Sequence, residues 1–251
     1  MSANVKRDVR LAAARAATVL FLLLPVVGCG GDKSPRLQSL AEKMKGRSPA
    51  EMVAMAFDPD DADNRRQGVT ELSSRSWGLQ EPYLKGYATM VRNDDDPLVR
   101  SAAVRALGKA GDLTYLPDVV AALEDDEPSV RWDAAVALDS LVGPEAVDPL
   151  RRHAVEDEAL DVRASAARAL RHYPTPEVVA MLKRCLRDRD FSVRYQARAS
   201  LAAIMGRDFG YEPGRWPEDP AAVPPAPKRS WWDRVRGRKA TPAEPAAEHE
   251  E

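Results

Sequence analysis

The chain has 251 residues, 30% of them charged and 44% hydrophobic, with a formal net charge of −2. That balance suits a soluble globular body and lacks the positive excess expected of a polyanion-binding protein. Aromatic residues make up only 6%, while Ala, Arg, Leu, Val and Asp recur in short blocks, a composition that favours thin helical layers over one large core or a β-sandwich.

The first element is a leader. Lys6, Arg7, Arg10 and Arg15 precede an apolar run from Ala16 to Val27, which falls short of the roughly 20 residues a bilayer span requires. This pattern predicts a signal peptide over residues 1–28. Its end, Val26-Val27-Gly28-Cys29, resembles the lipobox of bacterial lipoproteins, with Gly28 before the scissile bond and Cys29 as the acylated thiol. Val26 stands where Leu is the commoner residue. The resemblance implies a mature chain that starts at Cys29 and is anchored in a membrane of the bacterial cell envelope, facing the periplasm or the exterior. Each buried methylene contributes about 0.8 kcal/mol, so two or three acyl chains hold where one would exchange. Gly30 after the lipidated position leaves inner and outer membrane open. Cys185 is then the remaining thiol, and no internal disulfide can form.

Residues 29–48 read as a short linker and a capping helix. Ser34 is placed as N-cap, Pro35 as first helical residue, and Leu37, Leu40, Ala41 and Met44 form a short apolar stripe. The linker of residues 30–34 spans at most about 18 Å, which would keep the folded body close to the lipid.

From residue 49 to 206 the chain repeats itself. Pro97-Leu98-Val99-Arg100, Pro128-Ser129-Val130-Arg131, Leu160-Asp161-Val162-Arg163 and Phe191-Ser192-Val193-Arg194 align without gaps, the arginines standing 31, 32 and 31 residues apart. Three positions after each Arg comes Ala103, Ala134, Ala166 or Ala197, and seven after it Leu107, Leu138, Leu170 or Leu201. Six before it stands Asp94, Asp125, Asp157 or Asp188. A weaker fifth copy aligns Arg65 with Leu72, with its Asp displaced to Asp58 and Gly68 in place of Ala. It reads as an atypical terminal repeat.

The Val, Ala and Leu columns are spaced by four, which puts them on one stripe of a helix packed on one side. Before each such helix lies another apolar stretch, Leu116 to Leu123, Ala146 to Val155 or Val178 to Leu186. Each repeat is thus expected to hold two antiparallel helices, with the small Ala allowing close approach and the Leu filling the layer between repeats. The pattern resembles HEAT repeats, whose second helix opens with Val-Arg after an Asp six residues earlier. The resemblance implies an all-α, α–α superhelix of about four to five repeats. It also implies a hydrogen-bonded ladder in which Asp94, Asp125, Asp157 and Asp188 meet Arg100, Arg131, Arg163 and Arg194 of successive repeats.

The stretch Gly206-Arg207-Asp208-Phe209-Gly210-Tyr211-Glu212-Pro213 and then Trp216 resembles the closing segment of exported bacterial HEAT-repeat proteins. It predicts a lid over residues 207–216 in which Phe209, Tyr211 and Trp216 cover apolar surface. Residues 217–251 then read as a coreless tail, rich in Pro and Ala, first basic and then acidic. Its run Lys228 to Lys239 sets six basic residues against one Asp. Trp231 and Trp232, with Arg234 and Arg236, are candidates for contact with anionic lipid or a protein partner, and a merely solvated stretch balanced by Glu244 to Glu251 is the other reading.

The inventory for catalysis is poor. His153 and His172 lie near helix ends in different structural positions, and the His249-Glu250 pair falls outside the repeats. No metal site, cofactor or catalytic residue is assigned, and Cys185 on an apolar stripe reads as a core residue. Offsets +1, +2 and +5 from each repeated Arg lie off the core stripe. They place Trp132, Tyr195, Arg105 and Arg168 on an expected concave surface, to which Arg171 is added as a further candidate, a mixture enriched at binding hot spots. Covering of inter-repeat grooves by Trp132 and Tyr195 is the equal alternative. The sequence thus points to a non-catalytic, membrane-anchored scaffold for an unidentified protein partner. A polyanion-binding protein with an Arg-rich concave face is the second reading, weakened by the negative net charge, and a lyase resembling the phycobilin lyases is a remote third.

Overall fold

The computed structural model of the chain describes residues 47–223. The leader, Cys29, the capping helix expected after Ser34, and Trp231, Trp232, Arg234 and Arg236 lie outside the described residues. Ten α-helices occur among the described residues, joined by short 3₁₀ turns, with no strand. They are α1 (Pro49–Ala56), α2 (Ala62–Leu72), α3 (Tyr83–Asn93), α4 (Pro97–Ala110), α5 (Leu116–Ala121), α6 (Pro128–Ala137), α7 (Val147–Glu156), α8 (Leu160–Ala169), α9 (Pro176–Cys185) and α10 (Phe191–Met205). The even-numbered helices carry the repeated Arg, and each pairs with the helix before it. The described residues therefore form an α–α solenoid of five helix pairs.

Local chemistry sets the helix ends. Ser48 opens α1 with a capping box, its hydroxyl accepting from the Glu51 N–H at 3.3 Å and its own N–H donating to the Glu51 carboxylate at 2.7 Å. The Asp96 carboxylate accepts from the Leu98 and Val99 N–H groups at 2.7 and 3.2 Å, and Pro97, Pro128 and Pro176 occupy first-turn positions whose missing N–H costs nothing. Gly111 and Gly206 close α4 and α10 at φ 68° and 66°, a left-handed conformation that a Cβ disfavours.

The repeated columns form the core. Val99, Ala103 and Leu107 of α4, Val130, Ala134 and Leu138 of the α6 repeat, Val162, Ala166 and Leu170 of the α8 repeat, and Val193, Ala197 and Leu201 of α10 are all buried. Each buried Val or Leu contributes about 1.5–3 kcal/mol relative to exposure. The second helices stack in order, α2 on α4, α4 on α6, α6 on α8 and α8 on α10, while α3, α5, α7 and α9 form the other layer. Each repeat thus buries its apolar face only against its neighbours.

The departure at Gly68 has a steric cause. A Cβ placed there would lie 2.2 Å from the Ala56 nitrogen and 2.5 Å from its Cα, so α2 crosses the end of α1 closer than any side chain permits. At the other end the expected lid is formed by only two of its three aromatics. Trp216 is buried, meets Phe209 edge-on with centroids 5.2 Å apart, and donates its Nε1–H to the Gly210 carbonyl at 2.9 Å. The Trp216 carbonyl accepts from Lys183 Nζ of α9 at 2.9 Å. Tyr211 departs from the expectation: it stays 37% exposed and lies outward, with the Arg198 guanidinium 4.7 Å from its ring centroid. Its ring is held by this cation–π contact and by the Phe191 ring of α10, 6.0 Å away between centroids.

Candidate functional site

The solenoid's most regular polar feature is a ladder of guanidinium–carboxylate pairs between consecutive repeats. Arg100 donates from Nε and Nη2 to the two oxygens of Asp125 at 2.7 and 2.8 Å. Arg131 does the same to Asp157 at 2.8 and 3.0 Å, and Arg163 to Asp188 at 2.9 and 3.2 Å. Each pair joins the Arg of one repeat to the Asp of the next. The atypical first repeat supplies a further rung, Arg65 to Asp94 at 2.8 and 3.0 Å.

Two more contacts explain why these residue types recur at this spacing. Nη1 of each Arg turns back to carbonyls at the end of its own first helix, as Arg131 does to Asp125 and Asp126 at 2.8 and 3.0 Å. These are carbonyls left without a helical N–H, and a cation is favoured there. Each Asp also accepts the N–H two residues on, at Asp96, Glu127, Ala159 and Asp190, which shapes the turn between the two helices. Burial raises the carboxyl pKa of Asp125, Asp157 and Asp188, but the facing guanidinium fork and the turn N–H outweigh it and leave each below its ordinary value.

Arg194 is different. Its Nη1 donates to the Asp188 and Arg189 carbonyls at 2.8 and 2.9 Å, as in the earlier repeats, but no described carboxylate meets its Nε and Nη2. The fourfold Arg column therefore contains three internal rungs and one open end, and Arg65 provides the fourth rung.

The arginines expected on the concave face are already matched. Arg105 pairs with the buried Asp133 of the next repeat, which also takes the Ser101 hydroxyl. Arg168 and Arg171 both reach Asp139, at 3.0 and 2.9 Å, together with His172 Nε2 at 3.1 Å. These pairs knit neighbouring repeats together and remove most of the free positive charge that a polyanion would need. Asp133 and Asp139 carry no column signature, so nothing in the repeat alignment marks them.

The candidate aromatics fare differently from one another. Trp132 on α6 and Tyr195 on α10 occupy equivalent positions and are 42% and 51% exposed, but α8 stands between their helices. Tyr195 pairs with Phe191 one turn earlier on α10, and the closing segment adds Tyr211, which residue spacing does not place there. The Tyr195 ring centroid is 6.3 Å from that of Phe191, which in turn is 6.0 Å from Tyr211. Phe191 is 61% exposed, and the Arg194 guanidinium carbon lies 5.6 Å from its ring centroid. Arg198, beside Tyr211, is held by Asp208.

A signal for this end of the solenoid is present in the repeat columns. Four residues after the repeated Arg stand Val69, Val104, Ala135, Ala167 and then Arg198; the first four are buried against the next repeat. A charged residue there marks the last helix pair among the described residues. Arg198 thus stands where the internal repeats bury Val or Ala, whereas the columns of Phe191 and Tyr195 are exposed in internal repeats as well, as at Leu160 and Trp132.

The nucleophilic and metal-binding residue types are engaged elsewhere. Cys185 is buried, its thiol donates to the Ala154 carbonyl at 3.4 Å, and burial pushes its pKa up to about 12. His153 is buried between Asp157, 2.9 Å from Nδ1, and Glu124, 3.2 Å from Nε2. Among the described residues no group of three His, Cys, Asp or Glu side chains could hold a metal ion, and no helix is long and apolar enough to cross a membrane. A cleft of about 550 Å³ opens between α9 and the Pro213–Arg215 turn, where Lys183, Arg184 and Arg187 are interspersed with Glu177 and Glu218.

Comparison with known proteins agrees with this geometry. The Escherichia coli protein YibA aligns over 68% of this chain and 67% of its own, at 20% identity and a TM-score of 0.53. An engineered protein aligns over 66% and 84% at 19% identity and 0.51, and a designed armadillo repeat protein over 64% and 83% at 18% identity and 0.50. Likeness at these identities is likeness of fold. No curated protein matches the sequence. The family described as HEAT repeats matches residues 87–171 and 154–224, together more than half of the chain, and with the stacked helix pairs and the Arg–Asp ladder this means that the chain belongs to the HEAT-repeat family.

Proposed function

We propose that this protein is a non-catalytic scaffold, tethered to a membrane of the bacterial envelope through a lipidated Cys29, that holds a protein partner at the C-terminal edge of its solenoid. The observation that carries the reading is the exposed Phe191–Tyr195–Tyr211 cluster bordered by Arg194 and Arg198. Aromatic and Arg side chains dominate interface energetics because they bury large areas at low entropic cost. Three partly exposed rings in one patch are a feature that a monomer rarely keeps without use. The lipoprotein part of the reading rests on the Val26-Val27-Gly28-Cys29 sequence. Its physical sense is that a short linker would hold a rigid binding edge near the lipid.

Catalysis has little support: the buried Cys185 thiol, with its raised pKa, is a poor nucleophile, and His153 is occupied by two carboxylates. The polyanion reading loses its basis in Arg105, Arg168 and Arg171, which face Asp133 and Asp139.

The test compares the wild type, Trp132→Ala, and the double change Phe191→Ala with Tyr195→Ala in membrane pull-downs, with thermal unfolding measured on the same preparations. The double change is expected to weaken capture at least tenfold, since hot-spot aromatics cost about 2 kcal/mol or more each, while the melting temperature stays within a few degrees. Undiminished capture would return the cluster to a structural role. Loss with Trp132→Ala alone would move the interface to α6.

A further inference from the structure

Each of the four internal rungs places both oxygens of an aspartate on Nε and Nη2 of an arginine at 2.7–3.2 Å. Arg194 is set up in the same way, but among the described residues no carboxylate meets its Nε and Nη2. Its Nη1 is fixed by the Asp188 and Arg189 carbonyls, so the planar fork has a restricted orientation and is only partly exposed. Beside it the Phe191 ring, 61% exposed, offers an apolar wall that lowers the local dielectric and strengthens an ion pair.

We propose that Arg194 receives an aspartate from a polypeptide partner, so that the next rung of the ladder is supplied in trans while Phe191 and Tyr195 pack against the partner's apolar side chains. This deepens the reading of the C-terminal edge as a partner site and rests on it. The internal rungs describe the occupant: a short acidic turn that follows a helix end, whose aspartate also accepts the N–H two residues further on, as Asp125 does from Glu127 at 3.0 Å. A bidentate guanidinium selects a planar two-oxygen acceptor, which a lysine in the same place would not.

Local charge favours a carboxylate on a polypeptide over a polyanion. Arg198 is neutralised by Asp208, and Arg163 is shared by Asp188 and Asp190. Among the described residues the Arg194 fork is left without a carboxylate, a few residues after Asp188 and Asp190. A single carboxylate matches one open fork, whereas a phosphate chain needs several free cations in a row.

The internal rung provides its own probe: a fluorescein-labelled peptide of residues 119–130, which carries Asp125 in its turn sequence, titrated against the full chain in detergent and read by fluorescence anisotropy. Saturable binding is expected, weakened at least tenfold when the peptide carries Asp125→Asn and similarly when the protein carries Arg194→Lys. The two changes together should cost little more than either alone, because both remove the same bidentate pair. Absence of saturable binding, equal binding of the Asn peptide, additive losses, or displacement by inorganic phosphate at the peptide's own concentration would each overturn the proposal. In the membrane pull-down, capture that survives Arg194→Lys but not the Phe191/Tyr195 double change would sink the ladder proposal and leave the broader partner site standing.

Discussion

Replacement of Arg131 by Ala tests the energetic weight of the ladder at its middle. The Arg131 side chain is 14% exposed and that of Asp157 2%, so the pair is largely removed from water. Arg131→Ala deletes two bonds to Asp157 and two to the Asp125 and Asp126 carbonyls. What remains on the Asp157 carboxylate is His153 Nδ1 and the Ala159 N–H. Breaking a buried pair by removing one partner costs about 3–5 kcal/mol, and the two surviving contacts bring the expected loss down to about 3 kcal/mol. For a body of this size that is a fall of about 6–12 °C in melting temperature.

The same change alters the acid response. Asp157 in the folded chain titrates below its ordinary value despite burial, because the Arg131 fork, the Ala159 N–H and His153 outweigh the desolvation. A depressed folded-state pKa contributes stability that is present above the unfolded value of about 3.9 and lost as pH falls through the folded one. Without the Arg131 fork, burial pushes the Asp157 pKa upward, so the variant should show a shallower loss of stability below about pH 4. Urea unfolding of wild type, Arg131→Ala and Arg194→Ala at pH 7 and pH 3.5 checks both points. Arg194 holds no carboxylate among the described residues, and its replacement should cost less than about 1 kcal/mol. Equal midpoints for Arg131→Ala and wild type, or equal losses at the two arginines, would refute the account of the ladder as a partly buried seam.

Gly68→Ala should destabilise the N-terminal pair by about 1–3 kcal/mol, since its Cβ meets the Ala56 backbone at 2.2 Å; hydrogen exchange in α1 and α2 should rise while α8 to α10 stay protected. Cys185, buried with its thiol pKa pushed to about 12, should react with a thiol reagent at pH 8 only as fast as the chain unfolds, and rapid labelling of the native protein would contradict its core placement. Cys29→Ser should leave an unprocessed precursor that takes up no labelled fatty acid, and normal acylation of that variant would remove the lipoprotein reading.

The ladder also shows why the solenoid ends as it does. Every internal repeat covers the position four residues after its Arg with the next repeat, and there the chain places Val or Ala. At the last repeat it places Arg198, paired with Asp208 of the segment that folds back. Trp216 and Phe209 seal the rest. The closing segment covers the apolar end, touches Phe191 only through Tyr211, and brings no carboxylate to the Arg194 fork among the described residues.

The amino-acid sequence by itself determined the periodic part of this protein. Val, Ala and Leu at spacings of four, with Asp six residues before Arg, return in register because each repeat solves the same local problem of burying one stripe and closing one turn. Helix pairing and the core columns are therefore legible from residue spacing, and the pairing of Arg100, Arg131 and Arg163 with aspartates of neighbouring repeats from the resemblance to HEAT repeats. What only the tertiary structure decided lies where the period breaks or where partners come from non-equivalent positions. Asp133 with Arg105, and Asp139 with Arg168 and Arg171, join residues in no common column, so those arginines turned out to be neutralised where the spacing left them free. The open fork of Arg194 depends on which face the last described helix has left without a neighbour, and Tyr211 meets Phe191 because the closing segment folds back onto that helix. That is a property of stacking order: the same residue type in the same column is a buried seam when a repeat comes after it and an exposed edge when none does.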